Sequence, residues 1–365
     1  MLSRVYDHLS LKVERAHGVR ISTDRGEFLD TFAGIGVLAF GHTYEETIEA
    51  IKEKIGRFSH TSNYFLDEDA ISLGQMLLRM SGGEGEVFFT NSGTEATEAA
   101  IKAIRKLRRG KLVSFEGNFH GRTMGALSLT HSPKLRTPFE PLLPDTVFLP
   151  LSGKTFEEFV GSNEIAGVFV EPVQGNSGVH PLPEELIEVI SSMKEKYGFL
   201  IVADEIQSGL CRTGDFFAYQ HHDLRVDIIT VGKAVGGGLP LGAAIFCGVR
   251  PFAIGDHGST FAPNPVSLAA GKSVVERMDT TLLEDVKIKG EYLRHGMERL
   301  EWVKEVRGRG LMLGLSTLDP IRIKEKAFDR GVLLNVTGGS IRLLPALNIS
   351  IDEIDEILER LDFGG

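Results

Sequence analysis

Three segments of the chain combine reactive side chains with the ends of apolar runs. In Phe199-Leu-Ile-Val-Ala-Asp204-Glu205-Ile-Gln207, two carboxylates and an amide follow a run of apolar residues. Burying a carboxylate costs several kcal/mol unless a cation or a hydrogen-bond donor meets it, so the segment predicts an acid with a specific partner. The structural alternative is that Asp204 caps a following helix.

A lysine follows the next apolar run along the chain. In Ile228-Ile-Thr-Val-Gly232-Lys233-Ala-Val-Gly236, the amine lies in a glycine-rich loop where few side chains crowd it. The loop could therefore accept a bulky flat group beside the amine. Taken alone, the segment is equally compatible with a turn that carries a solvated lysine.

The third segment has the pattern of an anion site. In Phe88-Phe-Thr-Asn-Ser92-Gly93-Thr94-Glu95, a predicted strand turns through Ser-Gly-Thr into an alanine-rich helix. Exposed N–H groups, hydroxyls and the helix dipole favour an anion at such a helix start. An ordinary capping box between Ser92 and Glu95 is the alternative, and the two interpretations are compatible.

Together these segments fit one cofactor, pyridoxal 5′-phosphate. In its chemistry a lysine forms a Schiff base, an aspartate keeps the ring nitrogen protonated, and the protonated ring accepts electrons from a carbanion. A phosphate cradle, a buried aspartate and an uncrowded lysine are each weak signals. Their occurrence together at predicted strand ends is what indicates the cofactor.

Short apolar runs predict the elements that must position these residues. Six runs, which begin at Val87, Leu112, Val168, Phe199, Ile228 and Ala243, are interpreted as buried strands. Helical periodicity lies between several of them, at 95–107 and 183–197. This alternation predicts a mainly parallel sheet, whose ligands bind beyond the carboxyl ends of the strands. The polar residues at those ends are Thr90, Asn91, Glu116, Glu171, Asp204 and Lys233.

The length of 365 residues predicts two domains. After about Pro265 the pattern changes to long amphipathic segments followed by short apolar runs, which indicates a smaller α+β domain. A hairpin in the first forty residues is too small to be independent and should pack onto that domain. We therefore expect an N-terminal segment at 1–40, a large cofactor-binding domain at 41–264 and a small domain at 265–365.

The composition narrows the class of function. The net charge of −10 provides no broad basic field, so nucleic acid is not an expected partner. No apolar stretch approaches the roughly 20 residues of a membrane helix. The chain starts without the apolar segment of a secretion signal, and two cysteines give no disulfide framework, so we expect a cytoplasmic protein. No residues have the spacing of a metal site.

The chain resembles the class III, fold-type I aminotransferases, and within them the acetylornithine aminotransferase group. The most specific match is Asp204-Glu-Ile-Gln207-Ser-Gly209-Leu-Cys-Arg212-Thr-Gly214 followed by Lys233, and matching residues extend from Gly34 to Pro345. The resemblance implies a large domain with a mainly parallel central sheet flanked by helices, plus a smaller α+β domain. It also implies pyridoxal 5′-phosphate and a homodimer with active sites at the subunit interface.

Carried over position by position, the resemblance implies the cofactor contacts. Lys233 would form the Schiff base and shuttle protons, Asp204 would pair with the ring nitrogen, and Gln207 would bind the phenolic oxygen. The other implied contacts are Ser92, Gly93 and Thr94 at the phosphate, Phe119 stacked on the ring, His120, and Thr260 reaching the phosphate from a second subunit.

The resemblance also implies residues that bind substrate. Arg122 would bind a substrate carboxylate, and Arg342 would bind the α-carboxylate of glutamate and 2-oxoglutarate, because a planar guanidinium matches a carboxylate. Without the resemblance, Phe119 would be a core residue, Arg122 part of a surface ion pair, and Arg342 an edge-strand arginine facing solvent.

Two departures from the family pattern bear on the donor. Asn176 stands where relatives commonly have a glutamate that pairs with the arginine, and asparagine cannot neutralise a guanidinium. Arg342 would therefore stay available to carboxylates in both half reactions. Ile35 replaces the tyrosine with which ornithine aminotransferases grip a free α-amino acid, which favours an acylated donor.

We therefore predict transfer of a terminal amine from an acetylornithine-like N-acyl diamino acid to 2-oxoglutarate, giving a semialdehyde and glutamate. The alternatives are 4-aminobutyrate, ornithine or other ω-amine aminotransferases, and an aminomutase or decarboxylase on the same fold. A non-catalytic binding protein is the alternative from another class, and the presence of Lys233, Asp204 and Gln207 argues against it.

Overall fold

The computed structural model describes residue 3 and residues 5–364. Within this part of the chain the strands are β1 (Val13–His17), β2 (Arg20–Thr23), β3 (Gly26–Asp30), β4 (Gly85–Thr90), β5 (Lys111–Phe115), β6 (Thr146–Leu149), β7 (Ile165–Val170), β8 (Val173–Gln174), β9 (His180–Pro181), β10 (Leu200–Asp204), β11 (Ile228–Val231), β12 (Gly242–Cys247), β13 (Glu305–Arg309), β14 (Met312–Ser316), β15 (Val332–Leu333), β16 (Asn335–Thr337) and β17 (Ser340–Leu343).

The helices are α1 (Ala33–Gly36), α2 (Glu45–Arg57), α3 (Glu68–Ser81), α4 (Gly93–Leu107), α5 (Met124–Ser128), α6 (Pro133–Arg136), α7 (Gly153–Ser162), α8 (Glu184–Tyr197), α9 (Pro265–Val275), α10 (Thr280–Glu298), α11 (Pro320–Asp329) and α12 (Ile351–Leu361). The four-residue α1 is a turn rather than a helix, because Gly34 and Ile35 both have left-handed backbone angles. No helix among the described residues is long and apolar enough to cross a membrane.

A seven-stranded sheet forms the centre of the molecule, in the order β4-β12-β11-β10-β7-β5-β6. The pairs from β11 to β6 are parallel, and β12 runs antiparallel to both of its neighbours. The prediction of an α/β fold with a mainly parallel sheet is confirmed. The edge strand β6 was not predicted from the sequence, and its first three residues are only partly buried.

Helices cover both faces of this sheet, which is why its inner strands β7 and β10 are apolar and completely buried. On one face α4 approaches closely, because its inward positions include the small residues Ala99 and Ala103. The approach is so close that a Cβ at Gly167 in β7 would lie 2.5 Å from Ile104 Cδ1. The alanine-rich sequence of α4 thus fixes the helix, and its amino end, against the sheet.

The C-terminal part contains an antiparallel sheet in the order β13-β14-β17-β16. The predicted N-terminal hairpin is present as β2 and β3, and β3 pairs in parallel with β15, so that Leu29 lies opposite Val332. The first and last parts of the chain therefore share one sheet.

The carboxyl edge of the central sheet collects the polar residues of interest. Glu171 follows β7, Asp204 ends β10, and Lys233 lies two residues beyond β11. Because β12 is antiparallel, its first residue, Gly242, lies at the same edge, where a Cβ would be 2.6 Å from the carbonyl oxygen of Ser92. The sheet therefore brings the start of α4 beside the ends of the parallel strands.

Candidate active site

Two cavities adjoin each other at this edge of the sheet. The smaller has a volume of about 320 Å³, and its walls include Gly93, Thr94, His120, Glu171, Asp204 and Ile206. The larger, of about 560 Å³, adds Ile35, His131, Thr337 and Arg342. The residues that line both are Phe119, Arg122, Asn176, Gln207 and Lys233. Eleven of the thirteen residues predicted for the site thus line one cavity or both, and the exceptions are Ser92 and Thr260.

Lys233 lies in a tight turn that begins at the lysine itself and ends at Gly236. Its backbone φ is +46°, a conformation that costs energy in a residue with a side chain. Burial lowers the pKa of its amine to about 8; the charge of Arg342 adds to this shift, and Asp204 and Glu171 oppose it. No described residue hydrogen-bonds to Nζ, so the amine is available to a ligand in either cavity.

The depressed pKa predicts a pH-dependent cost in stability. With a folded pKa of about 8 and an ordinary value of 10.5, Lys233 destabilises the apoprotein below pH 8, and this cost vanishes as the pH rises past 10.5. Lys233→Met should therefore raise the free energy of unfolding at pH 7 by about 1–3 kcal/mol. Chemical denaturation of the apoprotein at pH 7 and pH 10.5 measures the difference.

A matched control for this prediction is Lys154→Met, because the Lys154 side chain is 83% exposed. This control should change stability little at either pH. An equal gain from Lys233→Met at pH 7 and at pH 10.5 would contradict a cost that arises from charge.

Asp204 and His120 form a buried pair beneath the smaller cavity. Their exposed fractions are 5% and 1%, and Asp204 Oδ2 lies 2.7 Å from His120 Nδ1. Asn118 Nδ2 lies 3.1 Å from His120 Nε2, and since an amide NH2 can only donate, Nδ1 is the nitrogen that donates to Asp204. The other oxygen of Asp204 accepts from the N–H of Ile206. Local capping therefore occupies only one oxygen of this carboxylate.

The neighbouring Glu205 faces away from the cavities. Its carboxylate accepts hydrogen bonds from the Ser208 hydroxyl and the Tyr219 N–H, both at 2.7 Å. Burial raises the pKa of Glu205 to about 7. Of the two consecutive carboxylates, only Asp204 can contact a ligand in the smaller cavity.

The start of α4 provides unpaired backbone donors. Ser92 Oγ accepts from the N–H of Glu95 at 3.4 Å, as an N-cap does. The Glu95 carboxylate binds the N–H of Asn91 rather than that of Ser92, so the predicted reciprocal capping box is wrong by one residue. No described residue accepts from the N–H of Gly93 or Thr94, so both are free for an anion.

Two glycines allow the walls of this cradle to meet. A Cβ at Gly93 would lie 2.7 Å from Ile206 Cδ1. Gly121 has φ +133°, and a Cβ there would lie 2.1 Å from Thr94 Oγ1. A larger residue at Gly121 would push the loop that carries Phe119 away from α4, and a larger residue at Gly93 would collide with Ile206, which follows β10.

Phe119 and Arg122 lie in the loop between β5 and α5. The N–H of Phe119 donates to Glu171 Oε1 at 2.5 Å, which directs this loop towards the smaller cavity. Arg122 is exposed and has no ion pair with any described residue. Its charge is therefore open to a ligand that enters either cavity.

Arg342 lies in β17, between β14 and β16, and is 2% exposed. The alternative of a solvent-facing edge arginine is therefore wrong. Nη1 donates to Gly175 O (3.1 Å), Asn176 Oδ1 (2.8 Å) and Gln207 Oε1 (3.0 Å), while Nη2 donates to Asn335 Oδ1 (2.8 Å). Nε has no partner among the described residues. Burial lowers the pKa of Arg342 to about 10, so it stays cationic near neutrality with only neutral acceptors around it.

Three further predicted residues differ in how they meet the cavities. Gln207 uses its carbonyl oxygen for Arg342, and its amide nitrogen donates to no described residue. Ile35 is 37% exposed and lines the larger cavity. Thr260 is exposed and lines neither cavity of its own chain.

Glu171, Asn335 and Thr337 take part in the site and were not predicted as site residues. The first had a signal in the sequence, since it directly follows a buried strand. The other two hold the Arg342 region through their side chains, because Asn335 accepts from Arg342 and Thr337 Oγ1 donates to the carbonyl of Asn176. No motif in the sequence marks them.

The residues of the smaller cavity fit pyridoxal 5′-phosphate. Free N–H groups at the start of α4 suit a phosphate, and the buried Asp204 suits a protonated ring nitrogen. The unpaired amine of Lys233 suits an aldehyde, and Phe119 provides a flat wall. Among the described residues, no group of three or more histidine, cysteine, aspartate or glutamate side chains could hold a metal ion.

Comparisons with known proteins agree with a site for pyridoxal 5′-phosphate. The family model "Aminotransferase class-III" matches residues 1–363. The chain is 41% identical to an acetylornithine aminotransferase of Methanopyrus kandleri, covering 98% of this chain and 94% of the relative. An acetylornithine aminotransferase of Archaeoglobus fulgidus is 38% identical, with 98% and 96% covered.

Solved structures resemble the whole chain as well. An ornithine aminotransferase from Toxoplasma gondii superposes with a TM-score of 0.92 at 27% identity, covering 99% of this chain and 91% of that one. An N-acetylornithine aminotransferase from Stenotrophomonas maltophilia superposes with a TM-score of 0.83 at 30% identity, with 97% and 94% covered.

Proposed function

The chain belongs to the class-III aminotransferases, which depend on pyridoxal 5′-phosphate, and we propose that it transfers the terminal amine of an acetylornithine-like N-acyl diamino acid to 2-oxoglutarate. The products are a semialdehyde and glutamate. The observation that carries this proposal is that Arg122, Arg342 and Lys233 line the same cavity. Two guanidinium groups suit an acceptor with two carboxylates.

The proposed donor rests on the walls of the larger cavity. Ile35 presents an apolar side chain there and offers nothing to bind a free α-ammonium group. An acylated amine carries no such charge and can lie against an apolar wall. The relatives named acetylornithine aminotransferase support the same donor class. The alternative donors are ornithine, 4-aminobutyrate and other ω-amines.

We propose the following roles for the residues that hold the cofactor. When bound, the cofactor supplies an electron sink for the carbon that loses a proton. Lys233 would hold the cofactor through its amine, and when that amine is free its pKa of about 8 would leave a useful fraction neutral and able to move a proton. Asp204, oriented by His120, carries the negative charge for the ring nitrogen.

The remaining residues bind and orient the cofactor and the substrate. The N–H groups of Gly93 and Thr94, with Ser92 as their cap, would hold the phosphate. Phe119 would stack on the ring, and the amide nitrogen of Gln207 would donate to the phenolic oxygen. Arg122 and Arg342 bind the substrate carboxylates, and Asn176 holds Arg342 without cancelling its charge.

A homodimer is part of the proposal. Asn63 Nδ2 donates to the carbonyls of Ser259 and Ala262, which ties the segment at 60–66 to the segment that contains Thr260. These two segments and the neighbouring loop expose large apolar side chains: Tyr64 (96%), Phe65 (70%), Leu66 (82%), Ile254 (108%) and Phe261 (66%). A second copy of the chain would bury them, and Thr260 would then reach the phosphate in the partner's site.

The domain boundaries and the cellular location stay predictions. We propose a large domain at 41–264, a small domain at 265–365, and a segment at 1–40 that packs on the small domain through the β3–β15 pair. Residues 1, 2 and 4 of that segment lie outside the described residues. The cytoplasmic location rests on the sequence pattern alone.

A donor panel tests the proposed function. The holoenzyme is incubated with 2-oxoglutarate and one amine at a time, namely N-acetylornithine, ornithine, 4-aminobutyrate or a simple alkylamine, and glutamate formation is measured. We expect kcat/KM to be at least about tenfold higher with N-acetylornithine than with ornithine, a difference of about 1.4 kcal/mol in transition-state binding. Equal or higher values with ornithine or 4-aminobutyrate would overturn the proposed donor.

A further inference from the structure

Glu171 lines the smaller cavity and has no role in the functions assigned above. It directly follows β7, and its neighbour Val170 is paired with Ala203, so Glu171 lies beside Asp204 at the same edge of the sheet. Its exposed fraction is 5%, and it lines the smaller cavity. The cost of burying this carboxylate calls for specific partners.

The two oxygens of Glu171 bind the backbone of two different loops. Oε1 accepts from the N–H of Phe119 at 2.5 Å, and Oε2 accepts from the N–H of Gly175 at 3.3 Å. Neither N–H has another acceptor among the described residues. One carboxylate therefore holds the loop that carries Phe119 and the loop that carries Asn176.

Residues of both loops line the two cavities. The first presents Phe119 and Arg122 to both cavities. The second fixes Arg342, because Gly175 O and Asn176 Oδ1 both accept from its Nη1. Movement of Glu171 would therefore alter the wall that meets the cofactor ring and the arginine that meets the acceptor.

Several charged groups of the site surround Glu171. Burial raises the pKa of its carboxyl to about 7, with Asp204 adding to the shift and His120 opposing it. Lys233 and Arg342 also interact with its charge. The charge of Glu171 thus interacts with those of Asp204, Lys233 and Arg342.

We propose that Glu171 is a positioning residue that fixes the cofactor-facing loop at Phe119 and the acceptor-facing loop at Gly175 in one geometry. This inference rests on the proposed function, because it takes the smaller cavity as the cofactor site and Arg342 as the acceptor site. Glutamine at position 171 would keep the size of the side chain but turn one acceptor oxygen into an NH2 group that faces an N–H donor.

The test compares Glu171→Gln with Glu205→Gln as a matched control. Glu205 is an equally buried carboxylate with a pKa raised to about 7, and it also accepts a backbone N–H, but it lines neither cavity. The dissociation constant of added pyridoxal 5′-phosphate, the visible circular dichroism of the holoenzyme, kcat, the KM for 2-oxoglutarate and the melting temperature are measured for each protein.

For Glu171→Gln we expect the cofactor dissociation constant and the KM for 2-oxoglutarate each to rise about tenfold, and the visible dichroism to fall. Glu205→Gln should lower the melting temperature by a similar amount without these changes. A Glu171→Gln protein that matches wild type in all three site readouts overturns the proposal. Equal changes in the three site readouts of Glu171→Gln and Glu205→Gln would also overturn it.

If Glu171→Gln does not fold, Glu171→Asp takes its place, because its shorter side chain cannot reach both N–H groups. Unchanged site readouts in that variant would overturn the proposal in the same way. The cofactor affinity and the dichroism do not depend on which amine or keto acid reacts, so they separate a failure of this inference from a failure of the proposed substrates.

Discussion

Replacing Lys233 with alanine should abolish transamination, with a loss of at least about 10⁴-fold in the rate of glutamate formation. The variant lacks the amine that lines both cavities, so no described residue is left there to bind an aldehyde covalently and move the proton. The change in visible absorbance that marks conversion of the bound cofactor to its amine form should also be lost when donor is added. Glutamate formation and the absorption spectrum are the two measurements.

Two controls test whether the loss in Lys233→Ala is due to the missing amine. Small primary amines added in solution should restore part of the rate of Lys233→Ala, because they supply the missing base within an otherwise intact cavity. Lys154→Ala, at an exposed position, should match wild type. Normal turnover by Lys233→Ala would refute the assignment of this lysine.

The position of Asp204 and Lys233 at the same edge of the sheet could be predicted from the sequence, and the reason is geometric. Both residues follow buried apolar runs, and β10 and β11 are adjacent and parallel, so their carboxyl ends meet at one edge. The start of α4 reaches the same edge because the antiparallel β12 lies next to β4. The ends of the strands thus bring together the start of α4, Asp204 and Lys233, which are far apart in the sequence.

The partners of Arg342 could not be predicted in this way. Its acceptor Asn176 lies 166 residues earlier in the chain, and Gln207 lies 135 residues earlier. Which oxygen meets which N–H depends on how three loops pack, and loops carry no periodic pattern. The sequence therefore predicted a carboxylate-binding arginine from family resemblance, and only the structure showed it buried among neutral acceptors.

The same reason accounts for the other differences. Glu171 had a signal as a strand-end acid, but its contacts with Phe119 and Gly175 depend on loop packing. The capping box at Ser92 was displaced because Glu95 reaches back one residue further, to Asn91. Local side-chain preferences predict that a helix starts here, and the details of the cap follow from tertiary contacts.

The charged groups of the site are separated, with two carboxylates at the smaller cavity and two guanidinium groups at the larger one. Asp204 and Glu171 lie beneath the smaller cavity, while Arg122 and Arg342 face the larger one with no carboxylate paired to either in the described residues. A dicarboxylate entering the larger cavity therefore meets two unmatched cations. The amine of Lys233 lies where the two cavities join, between the acidic and the basic groups.

Replacing Asp204 with asparagine should lower kcat by roughly 10²–10³-fold, because the change removes a preorganised charge from a buried site. Asparagine has the same size, and its carbonyl oxygen can still accept from His120 Nδ1, which lies 2.7 Å from the native carboxylate. What is lost is the negative charge that we propose keeps a ring nitrogen protonated, together with the hydrogen bond from the N–H of Ile206, because the new NH2 group would face that donor. The rate of the donor half reaction, followed by the absorbance of the bound cofactor, measures this loss directly.

Glu205→Asn would shorten the side chain, so the matched control for Asp204→Asn is Glu205→Gln, which also neutralises a buried carboxylate at the end of β10. Its carboxylate contacts Ser208 and Tyr219 and lines neither cavity, so the donor half reaction should stay within about threefold of wild type. If Asp204→Asn reacted as fast as this control, the charge of Asp204 would not act on the cofactor. A large loss in Asp204→Asn alone shows that position at the cavity, rather than buried charge in general, determines the rate.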